Sequence, residues 1–239
     1  MELLEKVVID RIEEGKLKEI DDDIVKEYPL KIKLNNKLIL TIVCSPANII
    51  ELATGYLFAE GLLKGSQDIK DIQLEENVIN LLTYNKDKIN MDSMIKKNID
   101  DFIINYDIIF LLIRELFKKS LIFDKTGGVH NALLANKDGS VLVFKEDIGR
   151  HNTVDKICGH ILLNNIDPKG KILLLSGRIS TEILLKVAKS KIAIIASPSA
   201  TTDKAVKLAD KLGITLIAFV RKKRMNIYTH KERVKFNQD

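Results

Sequence analysis

Apolar and polar positions alternate most regularly in the second half of the chain. Short apolar runs at Lys171–Leu175, Ile192–Ala196 and Ile214–Phe219 read as strands. Between them, spacings of three and four predict helices over Thr181–Lys189 and Asp203–Leu212, the second stopped by Gly213. Three apolar strands joined by helices predict a parallel βαβαβ unit with right-handed crossovers, covering 171–220. Upstream, Ala132–Ala135 and Val141–Phe144 flank Asn136-Lys137-Asp138-Gly139-Ser140, a hairpin signal. Asn152 is read as the cap of a helix with Val154, Ile157, Cys158, Ile161 and Leu162 on one face, and Asp155 lies three residues after that cap.

The first half is less regular, up to about residue 120. Leu30–Leu34 and Leu38–Val43 form a predicted hairpin around Asn35-Asn36-Lys37. After Ser45-Pro46 comes a helical pattern carrying Ile49, Leu52, Ala53, Tyr56 and Leu57, which Gly61 stops. The lysine- and asparagine-rich stretch Asn85–Asn105 reads as a long loop or irregular insertion. Asp107 is expected to cap a helix over Ile108–Phe117. The expected organisation is an N-terminal extension over 1–28 followed by a single α/β domain over 29–239.

Composition narrows the class. The chain has 239 residues, 46% hydrophobic and 30% charged, the balance of a soluble globular protein with a sizeable core. No apolar run approaches the roughly 20 residues that span a bilayer, and the charged start Met1-Glu2-Leu3-Leu4-Glu5-Lys6 carries no secretory signal. Two cysteines, Cys44 and Cys158, lie too far apart in sequence for a local metal or redox motif and suit a reducing cytoplasm. The net charge of +5 is mild, but Arg221-Lys222-Lys223-Arg224 concentrates it directly after an apolar strand.

Ligands of open parallel sheets bind beyond the carboxyl ends of the strands. There the chain places Ser176-Gly177-Arg178, then Ser197-Pro198-Ser199-Ala200-Thr201-Thr202, then Arg221 to Arg224. The first two segments enter helices whose free N–H groups favour an anion, although serine and threonine there also serve as ordinary caps. Three such ends with Arg178, Arg221 and Arg224 among them point to a phosphate-bearing ligand. Two further clusters are dense in hydrogen-bonding groups. In Thr126-Gly127-Gly128-Val129-His130 the paired glycines permit either a close backbone approach to a ligand or a tight turn. In Glu146-Asp147-Ile148-Gly149-Arg150-His151-Asn152 the acids either serve a ligand or pair with Arg150. His130 and His151 lack cysteine partners, and no Cys-x-x-Cys exists, which argues against deaminase-type zinc chemistry.

These clusters, in this order, resemble the formate dehydrogenase accessory sulfurtransferase family. The likeness runs from about Pro29 onward. It includes Ala53-Thr54-Gly55-Tyr56-Leu57-Phe58-Ala59-Glu60-Gly61, the eleven residues Glu146 to Lys156, and Met225-Asn226-Ile227-Tyr228-Thr229. The resemblance implies a cytidine-deaminase-like three-layer α/β/α domain, with a smaller mixed α+β portion ahead of it, in a homodimer. It implies sulfur transfer from a cysteine desulfurase to the molybdenum bis(guanine dinucleotide) cofactor, carried as cargo, on behalf of formate dehydrogenase. A late cofactor-binding segment of the family falls here on Phe219-Val220-Arg221-Lys222-Lys223-Arg224. The expected contacts are therefore these six, Ser176, Gly177, Arg178, Ser197, Ser199, Thr201, Thr126, Gly127, Gly128, His130, Asp147, Arg150, His151 and Asn152, with no bound metal of the protein's own.

One departure stands out. Family members typically carry Cys-x-x-Cys ahead of the Thr-Gly-Gly motif, whereas this chain has no cysteine between Cys44 and Cys158. Sulfur relay needs a nucleophilic thiolate. Cys158 falls on the apolar helix face, which leaves Cys44, at a strand end before Ser45-Pro46, as the substitute carrier. A cofactor-binding chaperone without sulfur transfer is the alternative, and a nucleotide-converting enzyme on a deaminase-like fold is a second. A nucleic-acid binder fits poorly with a chain that has no tryptophan.

Overall fold

The structure, a computed structural model, describes residues 2–84, 97, 100 and 102–236. In chain order its strands and helices are β1 (Leu4–Glu13), β2 (Lys16–Val25), β3 (Tyr28–Leu34), β4 (Lys37–Cys44), α1 (Ile49–Ala59), β5 (Ile69–Glu75), β6 (Val78–Thr83), β7 (Ile104–Asn105), α2 (Tyr106–Lys118) and α3 (Leu121–Thr126). There follow β8 (His130–Asn136), β9 (Val141–Asp147), α4 (Arg150–Leu163), β10 (Lys171–Leu175), α5 (Thr181–Lys189), β11 (Ile194–Ala196), α6 (Asp203–Leu212), β12 (Thr215–Arg221), β13 (Arg224–Ile227) and β14 (Val234–Lys235).

The centre is a six-stranded sheet of order β13-β12-β11-β10-β8-β9. Its middle strands β10, β11 and β12 run parallel, as the βαβαβ pattern predicts, and β8, β9 and β13 complete it antiparallel. Both faces are covered, so the parallel strands are apolar at nearly every position. Leu173 and Leu175 point into a core with Ile157, Ile183, Val187 and Ala205 from α4, α5 and α6. Ile172 and Leu174 point the other way, against Ile109, Leu112 and Leu116 of α2. The result is three layers, helix on sheet on helix. A second sheet of order β4-β3-β6-β5 has its own core, in which Leu30, Ile32, Ile79 and Leu81 pack against Leu52, Ala53 and Leu57 of α1. The hairpin β1–β2 forms a separate two-stranded sheet, and β7 pairs with β14.

Several boundaries are set by chemistry that the pattern shows. Asn35 and Asn36 both take positive φ in the β3–β4 turn, which matches the twist of the flanking strands. Ser180 and Thr202 cap α5 and α6 through their side chains, and Gly213, in the left-handed region, ends α6. Other expectations are corrected. Asn105, not Asp107, caps α2; its side chain accepts from the Asp107 N–H. Asn152 caps nothing: α4 begins at Arg150 after Gly149, and Asn152 lies inside it with its amide drawn to distant partners. Asp155, the other half of the expected capping box, is buried against Lys186. The middle parallel strand is shorter than expected, and β12 runs on to Arg221 before turning back as β13. Most of the expected Asn85–Asn105 loop lies outside the described residues; Ile104 and Asn105 form β7.

What joins the two sheets is the crossing of α1 and α4. A methyl group on Gly55 would overlap the carbonyl oxygen of Asp155, and one on Gly159 would overlap that of Glu51. The two backbones therefore touch at reciprocal glycines. Gly159→Ala is expected to cost about 3 kcal/mol or more, because the obstacle is main chain and cannot swing aside. Gly15→Ala in the β1–β2 turn, where the added carbon meets nothing, should cost only the left-handed penalty of about 1–2 kcal/mol. Denaturant titration of both variants checks the ranking.

Candidate functional site

The carboxyl ends of β10, β11 and β12 are tied to one another by hydrogen bonds. Ser197 Oγ donates to the Gly177 carbonyl (2.7 Å), and Ile179 N–H donates to Ala200 O (2.9 Å). Phe219 N–H donates to Ser199 O (3.0 Å), Val220 N–H to Ser197 O (3.1 Å), and Arg221 Nε to Pro198 O (3.2 Å). Phe219 reaches this position by taking φ of +52° where the β12–β13 register shifts. The segments Ser176–Ser180, Ser197–Thr202 and Arg221–Arg224 thus form one continuous edge. Much of the hydroxyl chemistry there is internal. Ser197 is fully buried, Thr201 Oγ1 donates to Ile179 O (3.1 Å), and Ser176 Oγ accepts from Asn131 N–H (3.0 Å).

The positive charges there are not neutralised. Arg178, Arg221, Lys222, Lys223 and Arg224 are exposed, and among the described residues no carboxylate lies within ion-pair distance of them. Arg221 and Arg224 face one another across the β12–β13 ladder, where like charges repel unless an anion sits between or beside them. The basic run Arg221–Arg224 is thus the end of the β12–β13 hairpin.

The other clusters meet this edge at β8. His130 pairs in register with Asp147, and its Nδ1 lies 3.4 Å from Ser176 Oγ. Arg150 packs against Gly177, and its Nε is buried with no partner among the described residues. His151 Nε2 lies 3.4 Å from both Ser180 Oγ and Glu182 Oε2. Burial, and then the Arg150 charge, lower the pKa of both histidines. Both rings are neutral near pH 7, suited to hydrogen bonding rather than to charge.

Two predicted contacts do their work inside the protein. Asp147 is fully buried; it accepts from Ser45 N–H (3.1 Å), Gly149 N–H (2.9 Å), Asn152 Nδ2 (2.8 Å) and Lys156 Nζ (2.6 Å). Asn152 also donates to Val43 O (2.9 Å). Together they fasten the turn after β9 to the end of β4. The glycine pair has structural reasons as well. Gly127 ends α3 in the left-handed region, and a side chain on Gly128 would come within 2.7 Å of Val25 on β2.

Both thiols are out of reach. Cys44 is fully buried beside Tyr28 in the core under α1, which corrects the inference of an accessible thiol at a strand end. Burial, and then the Asp147 charge, push its pKa up to about 12. Cys158 is 1% exposed and likewise raised to about 12, mainly by burial. The sequence shows only that Cys44 ends a strand; the helix folded over it supplies the burial. Among the described residues no group of three or more His, Cys, Asp or Glu is placed to hold a metal ion, and no helix is long and apolar enough to cross a membrane.

These features define a three-layer α/β protein whose parallel strand ends form an uncompensated basic edge. The FdhD/NarQ family profile matches residues 25–98 and 82–235. The sulfur carrier protein FdhD of Shouchella clausii (strain KSM-K16) is 36% identical over 252 residues, covering 94% of each chain. That of Bacillus subtilis (strain 168) is 34% identical over 250 residues, covering 94% of this chain and 95% of its own. A crystal structure described as a formate dehydrogenase accessory protein from Desulfotalea psychrophila superposes with a TM-score of 0.88 at 30% identity, over 98% of this chain and 100% of that one. The chain belongs to the FdhD/NarQ family. The burial of both thiols is directly measurable: neither should react with a thiol-specific chromogenic reagent in the native protein at pH 8, and both should react at once in denaturant. Rapid native labelling of one equivalent would contradict the packing of Cys44.

Proposed function

We propose that this chain serves formate dehydrogenase maturation by holding the molybdenum bis(guanine dinucleotide) cofactor, its cargo, along the basic strand-end edge. The observation that carries this reading is the set Arg178, Arg221 and Arg224, without a carboxylate partner among the described residues, on segments that hydrogen-bond to one another. Guanidinium groups are matched in geometry to phosphate oxygens, and the N-termini of α5 and α6 add their free N–H groups nearby. Neutral His130 and His151, with the unpartnered Nε of Arg150, offer polar contacts at the same edge. The names of the relatives support the client and the role in sulfur transfer. Under this reading the partners are formate dehydrogenase, a cysteine desulfurase and a second copy of the chain, in the cytoplasm.

The test is calorimetric titration with GDP. Arg221→Ala combined with Arg224→Ala should weaken binding by about tenfold or more, since a hydrogen bond to a charged group contributes about 1.5–3 kcal/mol. Unchanged affinity in the double variant would sink the assignment of this edge.

A second reading, cofactor holding without sulfur carriage, is favoured by the state of the two thiols. A persulfide must form on an accessible thiolate, and Cys44 and Cys158 are both buried with strongly raised pKa values. Mass spectrometry after incubation with a cysteine desulfurase and cysteine separates the two readings. We expect no added sulfur on either cysteine; a stable adduct mapped to Cys44 would restore a carrier role to this chain.

A further inference from the structure

The hairpin β1–β2 stands apart from both packed sheets. Its ladder runs in register from Leu4↔Val25 to Glu13↔Lys16, and Glu14 and Gly15 close it with φ of +52° and +75°. Among the described residues it forms a sheet of two strands, an arrangement that is marginally stable in water by itself. α3 packs against β2, where Val25 meets Gly128. β1 lacks that cover: Val8 is 65% and Ile12 75% exposed. The Lys26 N–H donates to Leu3 O (3.0 Å), so the odd-numbered residues of β1 aim their backbone groups at β2. The N–H and C=O groups of Lys6, Val8, Asp10 and Ile12 therefore point outward, along an edge that no described strand pairs. Such an edge is a template for another strand.

The residues on that edge are self-complementary. Two copies of β1, laid antiparallel about a two-fold axis at Val8, bring Lys6 opposite Asp10 and Glu5 opposite Arg11. The same register sets Leu4 opposite Ile12 and Val7 opposite Ile9. From Leu4 to Ile12 every charge meets its opposite and every apolar side chain meets another, the pairings that stabilise neighbouring strands. Moving the axis by one residue destroys the match. About Val7, Glu5 falls on Ile9 and Leu4 on Asp10; about Ile9, Lys6 falls on Ile12 and Glu5 on Glu13. β2 offers no equivalent, because a two-fold pairing about Asp21 or either neighbour sets carboxylate against carboxylate among Glu19, Asp21 and Asp23. Within one hairpin, Asp10 stands directly across from Glu19, a like-charge pair. A lysine arriving beside Asp10 offsets that repulsion.

We infer that two copies of this chain join through β1, antiparallel about Val8, so that their hairpins form one four-stranded sheet of order β2-β1-β1-β2. The occupant of the open edge is a second copy because the edge matches its own sequence in reverse. This interface rests on the reading that a second copy is a partner, and it adds which strand makes the contact and in what register.

The test is sedimentation of the full chain over a concentration series, with melting curves to confirm that each variant is folded. Wild type should sediment as a dimer. Lys6→Glu should weaken association by about tenfold or more, since it replaces two opposite-charge contacts across the axis with two like-charge contacts. Asp10→Lys alone should weaken it as well, and the two substitutions together should recover the wild-type association. A second measurement reads the register directly. Under mild oxidant Val8→Cys should yield a disulfide-linked dimer, because position 8 meets itself at the axis, whereas Glu13→Cys, remote from the axis, should not. Cys44 and Cys158 are buried and leave the introduced thiol as the reporter. A dimer that Lys6→Glu leaves intact, with no cross-link in Val8→Cys, overturns this interface and places the contact between copies elsewhere. Failure of the double substitution to recover association, or a cross-link in Glu13→Cys as ready as that in Val8→Cys, overturns the register. A wild type that is monomeric at every concentration counts against the second copy itself.

Discussion

The contact between α1 and α4 is the constraint from which the remaining arrangement follows. Helices that meet at facing glycines approach more closely than side chains otherwise permit, so their backbones fix the offset of the two sheets. That closeness also brings polar groups together in a nearly dry space. Glu51 on α1 takes Lys145 (2.5 Å) and His160 (2.7 Å), Lys156 on α4 takes Asp147 (2.6 Å), and Asp155 takes Lys186. Each buried charge is matched, which is the condition under which burial is tolerated; removing one partner leaves a charge that water cannot reach. The eleven-residue run from Glu146 to Lys156 is dense in polar chemistry largely because it builds this junction. Only Arg150 and His151 within it turn toward the strand-end edge with binding capacity left over.

How much of this was legible depends on whether the deciding contacts were local. The parallel unit was readable because both faces of its strands are buried, which makes them continuously apolar, and because Ser180, Thr202 and Gly213 mark helix ends by short-range chemistry. The hairpins at Asn35-Asn36 and Asp138-Gly139 were readable for the same reason. The pairs β1–β2 and β5–β6 were not, because charged residues interrupt their alternation and much of their surface faces water. Asn152 and Asp155 looked like a capping box because that motif is defined within four residues. The structure spends them on Val43, Asp147 and Lys186, partners from 5 to 109 positions away. Cys44 failed in the same manner: exposure at a strand end is a local inference, and the helix that covers it is not local.

The candidate site shows the converse. That two of the three strand ends carry cations is visible in the sequence, and topology places all three on one side of the sheet. The hydroxyls are partly committed to internal hydrogen bonds. Half-buried Ser176 and fully buried Ser197 both satisfy backbone groups of other segments. Uncompensated charge is therefore concentrated in exposed side chains that reach beyond the loops, chiefly Arg178, Arg221 and Arg224.

This division separates two properties that a sulfur-carrying protein must combine. Holding an anionic ligand requires cations whose charge is not cancelled, and in the proposed reading the edge supplies them on strand ends. Carrying sulfur requires a thiol that is both exposed and readily ionised, and burial opposes both: it blocks access and, through desolvation, raises the pKa. Cys44 lies beneath α1, next to the buried carboxylate of Asp147, so its ionisation is opposed first by the apolar surroundings and then by a like charge. The positive charge of Lys156, which would favour a thiolate, is already drawn to Asp147. The ion pair that ties α4 to the end of β9 thus adds to the burial that keeps the nearby thiol protonated. In this chain the binding edge and the cysteines answer to different physical demands, and the requirement that the core be neutralised decides against the thiols.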